Sequence, residues 1–285
     1  MTVTINTNWV NQFNAGLYLL EAQRTSALSG IFEQETATGE KHFFDRLGSI
    51  DDSEKTSRLA PTPLQDMPHS RRMASVRTYH ASTYLDSLDT IRMAADPSAA
   101  YMIRLAETTG RRFDDVCIDA LIGTAATGAD GSGTQALPSA QKVAHGSTGL
   151  TVAKLISAVE IFNTNEVRGK KKFLLLPPTA LSDLLAETSV GSHDYNAVKP
   201  LVTGELDHFM GFKLILSNRV TPITAASVYR GICFSEDAIK VARPDQVKVR
   251  TAELPERSFA NVMYVEHSIG AVRVEDVQVV EIAYQ

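Results

Sequence analysis

Glycine, histidine, acidic and basic residues sit close together at several points where chemistry would be possible. Gly128, Gly131 and Gly133 crowd one loop, GTAATGADGSGTQALPS, beginning at Gly123. Such a loop cradles phosphate when it joins a strand to a helix and ends in Lys-Ser/Thr. This one follows a helical pattern and lacks that ending, so it reads as a plain mobile loop. The histidines are His42, His69, His80, His145, His193, His208 and His267, and no two stand at a metal-ligand spacing such as HxxxH. Ser192-His193-Asp194 is a run of neighbours, whereas the members of a catalytic triad meet in space. Glu205, Asp207 and His208 read as a solvated turn before Gly211 rather than a cation site. Residues 168–172, RGKKK, have two readings, a nucleic-acid patch or a charged turn feeding a buried strand. The acidic remainder of the chain favours the turn. Paired arginines Arg71-Arg72 offer bidentate contacts to carboxylates. No enzyme-like constellation emerges, and the chain reads as structural, with no cofactor and no metal.

Composition narrows the classes further. The chain has 285 residues, 44% hydrophobic and 21% charged, with a net charge of −5. These are values of a folded protein with ample chain for a core. The acidic balance argues against a dedicated nucleic-acid binder. Cys117 and Cys233 form no CxxC pattern and are expected as reduced core thiols of an intracellular chain. No signal-peptide pattern opens the sequence, and the longest strongly apolar run, Phe173 to Leu176, is too short for a bilayer. A soluble protein made in the cytoplasm, with no membrane partner, is expected.

The elements follow from periodicity. Val10, Phe13, Leu17 and Leu20 mark a helical stripe within residues 8–30, either an ordinary core helix or a docking segment. Residues 36–92 differ in kind, since only 18 of these 57 residues are hydrophobic. Strand-like limbs at 40–50 and 73–85 flank a polar stretch broken by Pro61, Pro63 and Pro68. This predicts a long two-stranded arm with limbs of roughly 40 Å. It has too little apolar surface for its own core. Such an arm overhangs a body whose radius of gyration is ~19 Å and finds its partner on a neighbouring molecule. Asp96 and Pro97 are suited to cap a helix running to Ile122, with Gly110 as a weak point and Gly123 as its end. A second helix is expected over 151–163 with Thr151 as cap, then a buried strand at 173–176 and a short helix from Pro178. Strands are expected near 212–217 and 228–234, followed by short strands QVKVRT, VMYVEH, AVRV and VQVVEI.

The succession GEKHFFDRLG (39–48), Thr62-Pro63, Asp66, His69, Arg71-Arg72, Tyr79, Asp86, Asp89, Ile91-Arg92-Met93, Asp96-Pro97 and GRRFDD (110–115) resembles coat proteins of short-tailed bacteriophages. MGFKLILSN (210–218) and HSIGAVRVEDVQVVEI (267–282) match more loosely. The resemblance implies an α+β fold of the Hong-Kong-97 type, with an N-arm, an extended β-hairpin loop, a long spine helix, and peripheral and axial α/β domains. It divides the chain into an N-arm (1–35), an extended loop (36–92), a peripheral domain with the spine helix (93–147), an axial domain (148–240), peripheral strands (241–273) and a return to the axial domain (274–285). It implies a major capsid protein in an icosahedral head shell around the double-stranded DNA of a tailed phage. The partners implied are further copies in hexamers and pentamers, a scaffolding protein, a portal, decoration proteins, and packaged DNA without sequence-specific binding. Residues expected at inter-subunit contacts are Glu40, Lys41, Phe43, Phe44, Arg71, Arg72 and Arg77; Gly110 and Gly123 are expected flex points. An encapsulin-like nanocompartment is the alternative within the fold, and a soluble hydrolase the alternative outside it.

Overall fold

The computed structural model describes residues 25–59, 61–86, 98–186, 208–223, 228–244 and 247–285. The stripe at Val10–Leu20, the capping pair Asp96-Pro97, Ser192-His193-Asp194, Glu205 and Asp207 lie outside the described residues. The chain runs β1 (Glu33–Thr36), β2 (Lys41–Leu47), β3 (His69–Ser75), β4 (Arg77–Leu85), α1 (Ser98–Ile122), β5 (Ala125–Thr127), β6 (Gly133–Gln135), β7 (Lys142–Val143), α2 (Val152–Thr164), β8 (Lys172–Leu176) and α3 (Pro178–Ala186). It continues through β9 (His208–Phe209), β10 (Phe212–Leu216), β11 (Tyr229–Ser235), β12 (Ile239–Arg243), β13 (Lys248–Leu254), β14 (Ala260–Arg273) and β15 (Val279–Tyr284). It divides into two compact units, 1–26 with 78–113 and 244–268, and 27–77 with 114–243 and 269–285.

In the first unit, β13 pairs antiparallel with the leading part of β14, from Lys248↔Glu266 to Leu254↔Ala260, and β4 also pairs with β14. Leu85, Leu105, Met263 and Val265 close a small core here. Helix α1 is unbroken from Ser98 to Ile122, about 38 Å at 1.5 Å per residue. It passes straight through Gly110. A Cβ there would lie 3.3 Å from the backbone nitrogen of Ser26, so this glycine lets another stretch of backbone approach the helix.

The second unit is built around a six-stranded sheet in the order β7-β15-β11-β8-β10-β9. β8 and β10 are parallel, in register from Phe212↔Lys172 to Leu216↔Leu176, and β11 runs antiparallel to both β8 and β15. Phe173 to Leu176 are all buried, as a strand covered on both faces must be. Helix α2 lays Leu155, Ala158 and Phe162 on this sheet, and Thr151 caps it by accepting from the Lys154 N–H at 3.4 Å. The Lys154 ammonium donates to the carbonyls of His145, Thr148 and Gly149 at 2.7, 2.9 and 2.8 Å. Both cysteines are free and wholly buried, and burial pushes both thiols up from their ordinary values.

Three elements differ from the sequence expectation. VMYVEH and AVRV belong to one fourteen-residue strand, β14. It carries through the apparent break at Gly270 because the missing side chain admits Ser75, whose carbonyl would lie 2.6 Å from a Cβ. The glycine-rich segment is no loose loop. β5 and β6 make a tight hairpin with Gly128 and Gly131 at φ +91° and +76°, and β5 adds to β3. A Cβ on Gly131 would overlap the Met73 side chain, so its glycines serve close packing rather than phosphate. The arm's paired limbs are β2 and β3, in register from Lys41↔Ser75 to Leu47↔His69. At seven residues each they span about 23 Å, not 40 Å. The chain then turns at Val76 and sends β4 into another sheet. The charged HSRRMAS strand hid in the sequence because its arginines are paired by tertiary contacts, Arg71 with Asp45 and Arg72, through one nitrogen, with Asp276.

Candidate functional site: the root and tip of the arm

Two faces of the β2–β3 hairpin have opposite environments, as alternation along paired strands requires. On the outer face Arg71 reaches Asp45 with Nε–Oδ1 2.5 Å and Nη2–Oδ2 3.3 Å. Its guanidinium also lies 5.3 Å from the Phe43 ring centroid. The hydrogen bond from Arg71 lowers the Asp45 carboxyl below its ordinary value, but both groups face water, so the pair adds little stability. Glu40, Lys41 and Arg77 are exposed.

On the inner face Phe44 is buried with Ala37, Ala74, Ala125, Ala242, Val272 and Val274. Lys240 of β12 stands 5.7 Å from the Phe44 ring centroid and pairs with Glu33 at 3.0 Å and Glu35 at 2.8 Å. Its hydrogen bond is the main cause holding the Glu35 carboxyl below the ordinary range; His42, at 3.2 Å, adds to it.

Behind this cluster lies a buried charge network. Arg72 Nη2 donates to Asp276 Oδ2 at 2.7 Å, and Arg273 Nε donates to Asp276 Oδ1 at 2.6 Å. Arg273, with no exposed surface, also donates to the carbonyls of Leu121 (3.0 Å), Gly123 (2.6 Å) and Gln135 (3.0 Å). It therefore caps the end of α1, where unpaired carbonyls concentrate negative charge. Burial pushes the Arg72 guanidinium down from its ordinary value, and Asp276 opposes that shift. Arg46 clamps Glu275 through two bonds at 3.0 and 2.8 Å. One network thus ties the arm's root to the end of the spine-length helix, the β5–β6 hairpin and the chain beyond β14.

Arg72 and Phe44, expected at inter-subunit contacts, are 5% and 3% exposed. Most of each side chain packs within its own subunit. Sequence reasoning missed Arg273, Asp276, Arg46 and Glu275. The available signal was one arginine set between valines in AVRV, where a buried strand tolerates a charge only if it is paired.

The tip is the reverse of the root. Residues 48–68 carry no regular strand or helix among their described members. Leu59 is 87% exposed, Leu64 96%, Leu47 64% and Ile50 48%. Large apolar side chains at such exposure, close together along one segment without regular structure, make it the candidate contact surface. Among the described residues no group of His, Cys, Asp and Glu is arranged to hold a metal ion, and no helix is long and apolar enough to cross a membrane.

Comparison with solved structures returns capsid subunits. The chain in the capsid structure of cyanophage P-SCSP1u superposes with TM-score 0.75 at 14% identity, covering 97% of this chain and 93% of that one. A chain of Mycobacterium phage Che8 gives 0.74 at 13%, covering 97% of each. The capsid of Ralstonia phage GP4 gives 0.73 at 10%, covering all of this chain and 97% of that one. No curated protein matches by sequence. These likenesses give the chain the Hong-Kong-97-type fold. The family model described as phage capsid protein matches residues 5–285, and the chain belongs to that family. It is a major capsid protein of the phage head shell, structural rather than enzymatic, associating with its own copies in the virion.

Proposed function

We propose that this subunit builds an icosahedral shell of hexamers and pentamers around the double-stranded DNA of a tailed, short-tailed phage, with each arm completed by the next subunit. On this reading residues 1–35 are the N-arm, 36–92 the extended loop, and 93–147 with 241–273 the peripheral domain. Residues 148–240 and 274–285 form the axial domain that gathers round each capsomer axis. The chain is made in the bacterial cytoplasm. It assembles with a scaffolding protein and a portal, accepts decoration proteins, and encloses DNA without reading its sequence. Glu40, Lys41, Phe43, Arg71 and Arg77 remain the arm's contact candidates. Gly123, where the helix ends, is where the subunit would flex as the head matures.

The observation that carries this reading is the apolar tip, whose Leu59 and Leu64 are 87% and 96% exposed although Phe44 and Arg72 at the root are buried. The test is a shortened arm. Gly48 N donates to Pro68 O at 2.8 Å, so residues 49–67 can be replaced by an Asn-Gly turn, with Pro68→Thr supplying the N–H that closes a two-residue turn. The shortened chain keeps the wild-type thermal midpoint and fails to form closed shells in negative-stain images. Shells at normal yield from that chain contradict the reading.

A further inference from the structure

The RGKKK turn, left with two readings by the sequence, frames a cavity of about 330 Å³ where the end of α2 and the start of β8 meet the β9–β10 turn. Its apolar lining includes Val167 and Phe212, 6% and 1% exposed. Arg168, Lys170 and Lys172 supply its cationic part. Lys170 is partly neutralised by Asp237, and Lys172 lies 5.2 Å from the Phe162 ring centroid. Arg168 and Lys171 are exposed and pair with no carboxylate among the described residues. An apolar lining under a cationic rim selects an occupant with an aliphatic body beside carboxylates. A bare phosphate would leave the apolar lining against water.

The chain carries such a segment. Ile50-Asp51-Asp52-Ser53-Glu54 stands on the arm just beyond β2, with Ile50 48% exposed and both aspartates and Glu54 exposed. We propose that residues 50–54 of one subunit dock into the cavity rimmed by Arg168, Lys170 and Lys172 of a second copy, with Ile50 on the apolar lining and the acidic residues facing the cations. This rests on the reading that the arm is completed by a neighbour, and it names the surface that receives it.

The test is a disulfide between subunits. The native cysteines are wholly buried, so reactive thiols come from Asp52→Cys and Arg168→Cys alone. Shells of the double variant, mildly oxidised and run on a denaturing gel without reductant, yield a ladder of covalent multimers, and either single variant yields none. A band only at monomer mass, or a ladder no stronger than that of the single variants, overturns the assignment. A charge exchange reads the same contact without thiols. Asp51→Lys with Asp52→Lys loses shells, Arg168→Glu with Lys170→Glu loses shells, and the four changes together regain them. A combination no better than its halves overturns it too. If the shortened arm abolishes shells while both of these tests fail, the arm still reaches a neighbour and only the receiving surface is wrong.

Discussion

Arg273 is the residue on which the arm's root depends most. Its guanidinium has no exposed surface, and its four hydrogen bonds run to Asp276 and to three main-chain carbonyls at distances of 2.6–3.0 Å. Buried charges are costly unless every donor and acceptor is met, and removing one partner leaves the rest unpaired. Arg273→Met keeps most of the side-chain volume but strips the donors from Leu121, Gly123 and Gln135 and leaves Asp276 with Arg72 alone. Urea denaturation of the free subunit should show a loss of about 3–5 kcal/mol. A midpoint equal to the wild type contradicts the network's role. The exposed Arg71–Asp45 pair, by contrast, lies in water with its side chains 42% and 71% exposed, and its loss should matter for contacts rather than for folding.

At the scale of elements, the end of α1 is held by a main-chain bond as well as by the Arg273 side chain. Gly123 N donates to Asp119 O at 2.7 Å, and a Cβ on Gly123 would lie 2.5 Å from that same oxygen. Gly123→Ala therefore shifts the helix terminus and the carbonyl that Arg273 holds. A cost of about 2 kcal/mol in thermal or urea denaturation is expected, and a variant as stable as the wild type shows that the terminus yields freely. Much at this scale was legible from the chain. Thr151 caps α2, FLLL is a buried strand, and the long helix ends before Gly123. These depend on local propensity and capping, which neighbouring residues carry. The limb register was not legible. His69–Ser75 is charged and follows a proline-broken stretch, and only Asp45 and Asp276, distant in sequence, make Arg71 and Arg72 acceptable there. The continuity of β14 through Gly270 was hidden for the same reason, since Ser75 lies almost two hundred residues earlier in the chain. The candidate site was half legible: the arm stood out by its low apolar content, whereas the inward side of Phe44 and Arg72 depended on pairing that spacing does not encode.

For the whole molecule, the net charge of −5 suits a wall around DNA better than a reader of it. Duplex affinity grows with the number of phosphates that cations neutralise and falls steeply with salt. The free subunit should give no shifted band with duplex DNA at physiological salt, even with the RGKKK turn intact. A clear shift at that salt contradicts a container that confines without gripping. The same molecule leaves Leu59 and Leu64 uncovered at the tip of a firmly rooted arm, an arrangement that makes sense for a subunit whose remaining contacts belong to its neighbours. The measurement that tests this most directly is a near-atomic electron-microscopy reconstruction of shells assembled from the purified chain. It should show closed shells in which residues 48–68 of each subunit lie against another, with Leu59 and Leu64 buried in that contact. Closed shells with both leucines still facing solvent would contradict it.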